Sequence, residues 1–260
     1  MCVNIHQLRM IYYFSGTGNT KIIAQLICQQ TGDTMQPVTE VSSEIDADVL
    51  GFVFPVYAWG PALPMIQFIE KINVVRPPSY TYVICTCGDD IGRTDRIISR
   101  ILKSKSLRTD AIWSLQMPNT YIGLPGFDVD SNQLAQKKWE YAQMKVQEIS
   151  KSIHKQERGI CCIHPGVMPW TKTYILRPLF NRFLTKDKKF HTTQQCTGCG
   201  LCVKVCPKRN LTMEGKHPQW HGNCINCFAC YHQCPQHAIL YGKGSKGKRQ
   251  YRCTDYFKFK

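Results

Sequence analysis

Eight cysteines are written in one spacing, twice. Cys196, Cys199, Cys202 and Cys206 precede Pro207; Cys224, Cys227, Cys230 and Cys234 precede Pro235. C-x2-C-x2-C-x3-C-P is the thiolate run that holds iron–sulfur clusters in bacterial proteins. Three thiolates two residues apart can wrap one loop around a cubane, with backbone N–H groups turned toward its sulfurs. The fourth opens a helix pointing away, and a proline suits that first turn. It therefore serves the neighbouring cluster. Cluster one is expected to use Cys196, Cys199, Cys202 and Cys234, and cluster two Cys224, Cys227, Cys230 and Cys206. Structural zinc is the competing chemistry, but it favours two separated cysteine pairs over four in a row, twice. Gly198, Gly200 and Ala229 leave room in the loops, and Trp220 can serve as a cluster cover or as core. The seven other cysteines among the 15, namely Cys2, Cys28, Cys85, Cys87, Cys161, Cys162 and Cys253, read mostly as small buried hydrophobes. None has the sequence neighbours of a catalytic nucleophile.

A second constellation lies near the start. SGTGNT (residues 15–20) follows an apolar run and opens a helical one. Backbone N–H groups at such a helix N-terminus bind phosphate. Ser15, Thr17 and Thr20 add hydroxyls, Asn19 an amide, and Gly16 and Gly18 let the backbone come close. The loop is no Walker motif. Lys21 stands where a dinucleotide fingerprint needs its third glycine. Many hydroxyls without an arginine suit a mononucleotide, FMN.

The cysteine blocks resemble bacterial-type ferredoxins with two [4Fe–4S] clusters, over about residues 190–242. SGTGNT resembles the phosphate loop of flavodoxin, and that likeness runs over about residues 9–155. Two further stretches then resemble the loops that meet the flavin ring. One is PVYAWG, with Pro55, Val56, Tyr57 and Trp59; the resemblance makes Trp59 the first choice for stacking and Tyr57 the second. The other is TCGDD, with Thr86, Cys87, Gly88 and Asp89. Flavodoxins often carry a second aromatic just beyond that point; Ile91 and Gly92 stand here, so one flavin face is expected to be open. Together the halves resemble the fused flavodoxin–ferredoxin proteins of anaerobic prokaryotes. That likeness implies two [4Fe–4S] clusters and FMN.

The elements that must position these residues are legible as periodicity. Residues 9–14, 34–38, 48–57, 79–90 and 109–118 read as strands, buried where β-branched and aromatic residues run together. Helical spacing follows all of them except 34–38, ending in about seven turns after Ser131 and Asn132. Alternation of this kind predicts an α/β, flavodoxin-like doubly wound parallel sheet. A small α+β two-[4Fe–4S] ferredoxin domain should follow. The expected division is a flavodoxin-like domain at 1–157, a connector at 158–190, the ferredoxin domain at 191–242 and a mobile basic tail at 243–260. Pro165, Pro169 and Pro178 are expected to break any long helix in the connector. Its amphipathic composition allows a membrane-surface segment, but packing between domains is the stronger expectation. Residues 1–9 read as an extension or an alternative start before Met10.

The chain has 260 residues and a formal charge of +15. Two clusters and a flavin phosphate would leave roughly +9. Acidic redox partner proteins of the ferredoxin or flavodoxin type are therefore expected, nucleic acid less so. No long apolar run or secretory signal is read, and abundant thiols suit a reducing cytoplasm. The expected function is an electron carrier or oxidoreductase passing electrons between FMN and the clusters, to or from a redox partner. A flavin-dependent reductase with its own small-molecule or quinone substrate is the first alternative. A redox sensor docking through its basic tail is the second.

Overall fold

The computed structural model describes residues 8–40 and 44–257; Cys2 and most of the expected N-terminal extension lie outside them. The apolar runs become strands β1 (Arg9–Tyr13), β2 (Thr34–Pro37), β3 (Val49–Tyr57), β4 (Tyr80–Cys87), β5 (Ala111–Gln116) and β6 (Ile160–Cys162). They lie in the order β2-β1-β3-β4-β5-β6, every neighbouring pair parallel. A two-residue strand, Gly60–Pro61, folds back antiparallel on the end of β3. The first five strands have the 2-1-3-4-5 order of the flavodoxin type, whose ligand crevice opens where the winding reverses between β1 and β3.

Helices cover both faces, which is why β3 and β4 carry almost unbroken apolar runs. Helices α1 (Asn19–Thr31) and α4 (Asn132–His154) bury Ile23, Ile27, Trp139 and Val146 on one face. Helices α2 (Leu63–Lys71) and α3 (Thr94–Ser104) bury Met65, Phe68, Ile98 and Leu102 on the other. The Ser131 hydroxyl caps α4 by accepting from the Leu134 N–H at 3.2 Å.

The cysteine-rich unit repeats one plan. Strand β7 (Phe190–Thr192) pairs antiparallel with β10 (Ile239–Tyr241), and β8 (Leu211–Glu214) with β9 (His217–Trp220). Short helices α5 (Leu201–Lys204) and α6 (Ala229–Gln233) begin inside the two cysteine blocks. Phe190, Phe228, Tyr231 and Tyr251 join Trp139 and Ile122 in one hydrophobic cluster, so this unit and the sheet share a core.

Three expectations are corrected. The boundary after residue 157 is not a chain break in the fold. β6 extends the sheet beside β5, tied by the Gly159 N–H to the Asp110 carbonyl at 2.8 Å and by the Arg158–Asp110 ion pair at 2.9 Å. The basic segment after 242 is packed through residue 257, not a mobile tail. Tyr251 and Cys253 are buried, and Lys248 Nζ donates to the Ile122 and Leu124 carbonyls at 2.9 and 2.7 Å. Its bases reach backbone oxygens of the other domain, which composition alone does not reveal. Pro178 does not end the connector helix. Pro169–Thr171, Lys172–Leu176 and Arg177–Phe183 run on without a gap. The middle stretch has π geometry, the Arg177 N–H bonding to the Lys172 carbonyl, and this wider turn accommodates the proline.

Candidate redox centre

The Gly-rich loop turns at the switch point. Gly18 has φ +105°, a conformation that favours glycine, and its N–H donates to Ser15 Oγ at 3.2 Å. Asn19 and Thr20, in the first turn of α1, line a chamber of about 90 Å³. Its wall takes in Ser15, Gly16, Thr17, Asn19, Thr20, Pro55, Val56, Tyr57, Thr86, Cys87 and Gly88. Thus the three loops singled out in the sequence do come together. Thr20 Oγ1 and Thr86 Oγ1, from two of them, lie 2.7 Å apart. Gly18 is the exception: it turns away and meets Cys253, whose Sγ would lie 2.4 Å from an added Cβ. Asn19 lines the chamber, but its amide is committed to the protein. Nδ2 donates to the Pro118 carbonyl at 3.1 Å and Oδ1 accepts from the Tyr251 hydroxyl at 2.7 Å.

A second chamber of about 540 Å³ adjoins the first through Val56, Tyr57, Cys87, Gly88, Asn119, Tyr121 and Asn226. It adds Trp59 and Asp89 to the wall, the last of the residues expected at the flavin ring. Its volume is that of an ordinary cofactor pocket. Trp59 is held in place from the connector: its carbonyl accepts from Thr173 Oγ1 at 2.9 Å, and Lys172 Nζ stands 5.8 Å over its ring. Lys172 also pairs with Asp90 at 2.6 Å. Lys138 of α4 fixes the neighbouring turn by donating to the Gly88 carbonyl at 2.8 Å while paired with Asp130 at 2.7 Å.

Burial pushes the Tyr57 phenol well up, with Cys227 and Cys224 adding to the shift, and pushes the Cys87 thiol up to about 12. Both are neutral protonated groups at ordinary pH. Burial also lowers the Arg177 guanidinium somewhat.

Several wall residues escaped the sequence reading. Asn119 and Tyr121 come from the turn after β5, and Arg177 and Phe180 from the connector. The first pair had a signal, since that turn stands at the carboxyl end of a parallel strand. The second had none. Three buried polar atoms on wall residues, Tyr121 Oη, Arg177 Nε and Asn226 Oδ1, have no protein partner. Buried polar groups are normally satisfied; these three are closed off by protein, Arg177 Nε against Gly60 and Tyr121 Oη against Gly123. Tyr121, Phe127 and Phe180 also bring aromatic rings that the absence of one after Asp90 did not foretell.

Cys196, Cys199, Cys202 and Cys234 line one cavity. Cys206, Cys224, Cys227 and Cys230 lie within electrostatic reach of one another, and Cys202 within reach of Cys230. The two terminal cysteines are treated alike: Cys206 Sγ accepts from the Asn210 N–H and Cys234 Sγ from the Ala238 N–H, each at 3.3 Å. Among the described residues no three His, Cys, Asp or Glu side chains converge as a single metal ion would require. The four thiols of the first set surround a space, which fits a cubane. Trp220 stacks on Phe190 with centroids 5.4 Å apart, so it is core.

The two halves meet at the chambers. Cys224, Ile225 and Asn226 line the larger one, and Asn226, Cys227 and Phe228 the smaller. An added Cβ at Gly16 would lie 2.7 Å from Cys227 Cβ and 2.4 Å from Tyr57 Oη. His232 is fully buried beside this contact. One ring nitrogen bonds to the Thr120 carbonyl at 2.8 Å and the other accepts the Tyr251 N–H at 3.2 Å. Burial holds its pKa down at about 4, so it is a neutral strut between the halves.

Residues 188–235 match the 4Fe-4S dicluster domain family. An uncharacterized ferredoxin of Methanocaldococcus jannaschii is 40% identical over 52 residues, 18% of this chain and 68% of that protein. Among solved structures, a flavodoxin from Streptococcus pneumonia TIGR4 overlaps 55% of this chain and 98% of its own at 16% identity and a TM-score of 0.38. An NAD(P)H:quinone oxidoreductase from Methanothermobacter marburgensis overlaps 56% and 97% at 11% identity and a TM-score of 0.39. It is the strand order of this chain, rather than those overlaps, that carries the assignment of its first half. Through its cysteine-rich half the chain belongs to the 4Fe-4S dicluster ferredoxins, joined in one polypeptide to a flavodoxin-like sheet.

Proposed function

We propose that the chain is an electron-transfer flavo-iron–sulfur protein. FMN is held across the two chambers, and two [4Fe–4S] clusters are held by the interlocked cysteine sets. One observation carries the reading: Cys227 forms part of the wall that the Gly-rich loop also lines, and Cys224 lines the adjoining chamber. FMN supplies two-electron chemistry that can be split into single electrons, each of which a cluster accepts. The residues divide the labour around it. Backbone N–H groups at the start of α1 with Thr17 and Thr20 would bind the phosphate, and Tyr57 and Trp59 would bound the ring. Thr86, Cys87, Gly88 and Asp89 would hold the ring edge, and Tyr121, Arg177 and Asn226 would complete the wall around it. Lys138 and Lys172 keep the loops in place. At the other end Cys199 is exposed, giving an outlet toward a redox partner protein.

Anaerobically purified protein should contain about eight irons and one FMN per chain. Photoreduction of the flavin should be followed by cluster bleaching within the same molecule, at a rate independent of protein concentration. A flavin that stays reduced while the clusters stay oxidised, or a preparation without FMN, would remove the proposal.

The larger chamber supports a second reading, a reductase with its own small-molecule substrate. Its volume of about 540 Å³ favours it. Steady turnover of a quinone or a nicotinamide by the pure protein, with no added carrier, would decide for that reading.

A further inference from the structure

The connector helix is amphipathic, and its packing uses only one face. Thr173 is 2% exposed and accepts the Arg93 N–H at 2.8 Å, while Arg177 and Phe180 face the larger chamber. The other face is bare. Ile175, Leu179 and Phe183, spaced i, i+4 and i+8, are exposed, as are Val167 at 77% and Trp170 at 61% just before them. Scattered exposed apolar residues need no explanation, but a stripe along one helix does.

The exposed charge carried by this segment has one sign. Arg182, Lys186, Lys188 and Lys189 are exposed. Residues 158–186 contain no Asp or Glu. The next acid, Asp187, is buried and occupied, accepting from Asn210 Nδ2 at 3.2 Å and the Gly222 N–H at 2.6 Å.

We propose that this helix lies on an anionic phospholipid surface, its stripe in the acyl boundary and its bases among the headgroups. An exposed apolar stripe flanked by exposed bases, Arg182 within the helix and Lys186, Lys188 and Lys189 just after it, is what that interface recognises. Trp170 and Tyr174, with ring centroids 5.6 Å apart, are the residue types that gather at headgroup level. Among the described residues no helix is long and apolar enough to cross a membrane, so this one lies on the surface. A second copy of the chain would bring the same cationic surround against itself. An acidic protein would satisfy the bases but gain little from flanking lysines, which interface cores exclude. Because Arg177 and Phe180 belong to the same helix, a docked bilayer would lie about one helix diameter, roughly 10 Å, from the larger chamber. The inference is independent of what that chamber holds.

The test uses the full-length protein, purified anaerobically with its iron. It is mixed with vesicles of phosphatidylcholine alone or with about one third phosphatidylglycerol. Co-sedimentation with the anionic vesicles only, weakening as salt rises, is the expected result. A blue shift in tryptophan emission that disappears in Trp170→Phe should accompany it. Arg182→Glu with Lys186→Glu should reduce binding by on the order of tenfold or more. Ile175→Ser, Leu179→Ser and Phe183→Ser together should abolish it, with iron content and circular dichroism unchanged. No preference for anionic vesicles would overturn the proposal, as would unchanged binding by the triple variant. So would a concentration-dependent dimer, or a complex with an acidic protein in place of vesicle binding, that the same three substitutions dissolve.

Discussion

Gly16 is where a single atom decides whether the two halves can meet. Its missing side chain leaves the space that Cys227 Cβ and Tyr57 Oη occupy. In Gly16→Ala, Tyr57 or the second cysteine loop must move, at the usual overpacking cost of about 1–3 kcal/mol. If that falls on the cofactor-bound form, FMN binding should weaken roughly 5- to 150-fold, measured by fluorescence titration. Unchanged affinity would show that the loop relaxes freely. The cysteines allow a sharper test. Cys234→Ser should disturb the cluster of the first block and Cys206→Ser that of the second, leaving the neighbour's paramagnetic signal intact in each case. Loss of the signal from the block that contains the mutated residue would refute the crossed assignment. The spacing predicts this crossing from a helix opening at the fourth cysteine; in the structure Cys206 and Cys234 instead follow the short helices α5 and α6, which end at Lys204 and Gln233.

At the scale of elements, the segment after β10 is a strap. Tyr251 accepts the Trp139 Nε1–H at 2.9 Å and donates to Asn19, linking it to α4 and α1. Tyr251→Ala removes a buried ring and orphans the indole donor, a loss of about 3–5 kcal/mol. Tyr251→Phe keeps the ring and should lose less, by about 1–3 kcal/mol. Chemical denaturation should rank the three proteins in that order, and equal midpoints would mean the strap contributes nothing. Lys138 acts on a smaller element. Lys138→Met abandons the Gly88 carbonyl and the Asp130 ion pair, both largely shielded from water. The ring-edge turn should loosen, so FMN should dissociate faster in stopped-flow displacement while the iron content stays unchanged.

At the scale of the whole molecule, the shared hydrophobic cluster makes a claim about cooperativity. Trp139 and Ile122 of one half pack in the same body as Phe228, Tyr231 and Tyr251 of the other. Flavin release, cluster bleaching and loss of helical circular dichroism should therefore coincide in an anaerobic thermal melt, as one cooperative unit requires. Two separated transitions would show that the halves fold independently. The same continuity corrects the idea of a tail available for docking. Lys248 and Arg249 spend their donors on carbonyls of the flavodoxin-like half, Arg249 on those of Val129 and Asp130. Deleting residues 243–260 should lower stability before it alters any partner affinity.

Local order was written in the sequence. The strands β1 to β5 follow from β-branched and aromatic runs, the helices from their period, and the cluster ligands from spacing, because each depends on residues near one another in the chain. β6 escaped, since three residues carry no period and are a strand only because Asp110 and Arg158 pin them beside β5. Residues 248–257 escaped because Lys248, Arg249 and Tyr251 find their partners in the other half. Tyr121, Arg177 and Asn226 reach the chamber from three separate segments, and no spacing rule links them. The chemistry of each half was therefore legible from the sequence alone. That the cysteines of one half form a wall of the other's chamber was decided only by tertiary packing. The contact that brings them together, Gly16 against Cys227, exists in space and has no local pattern to announce it.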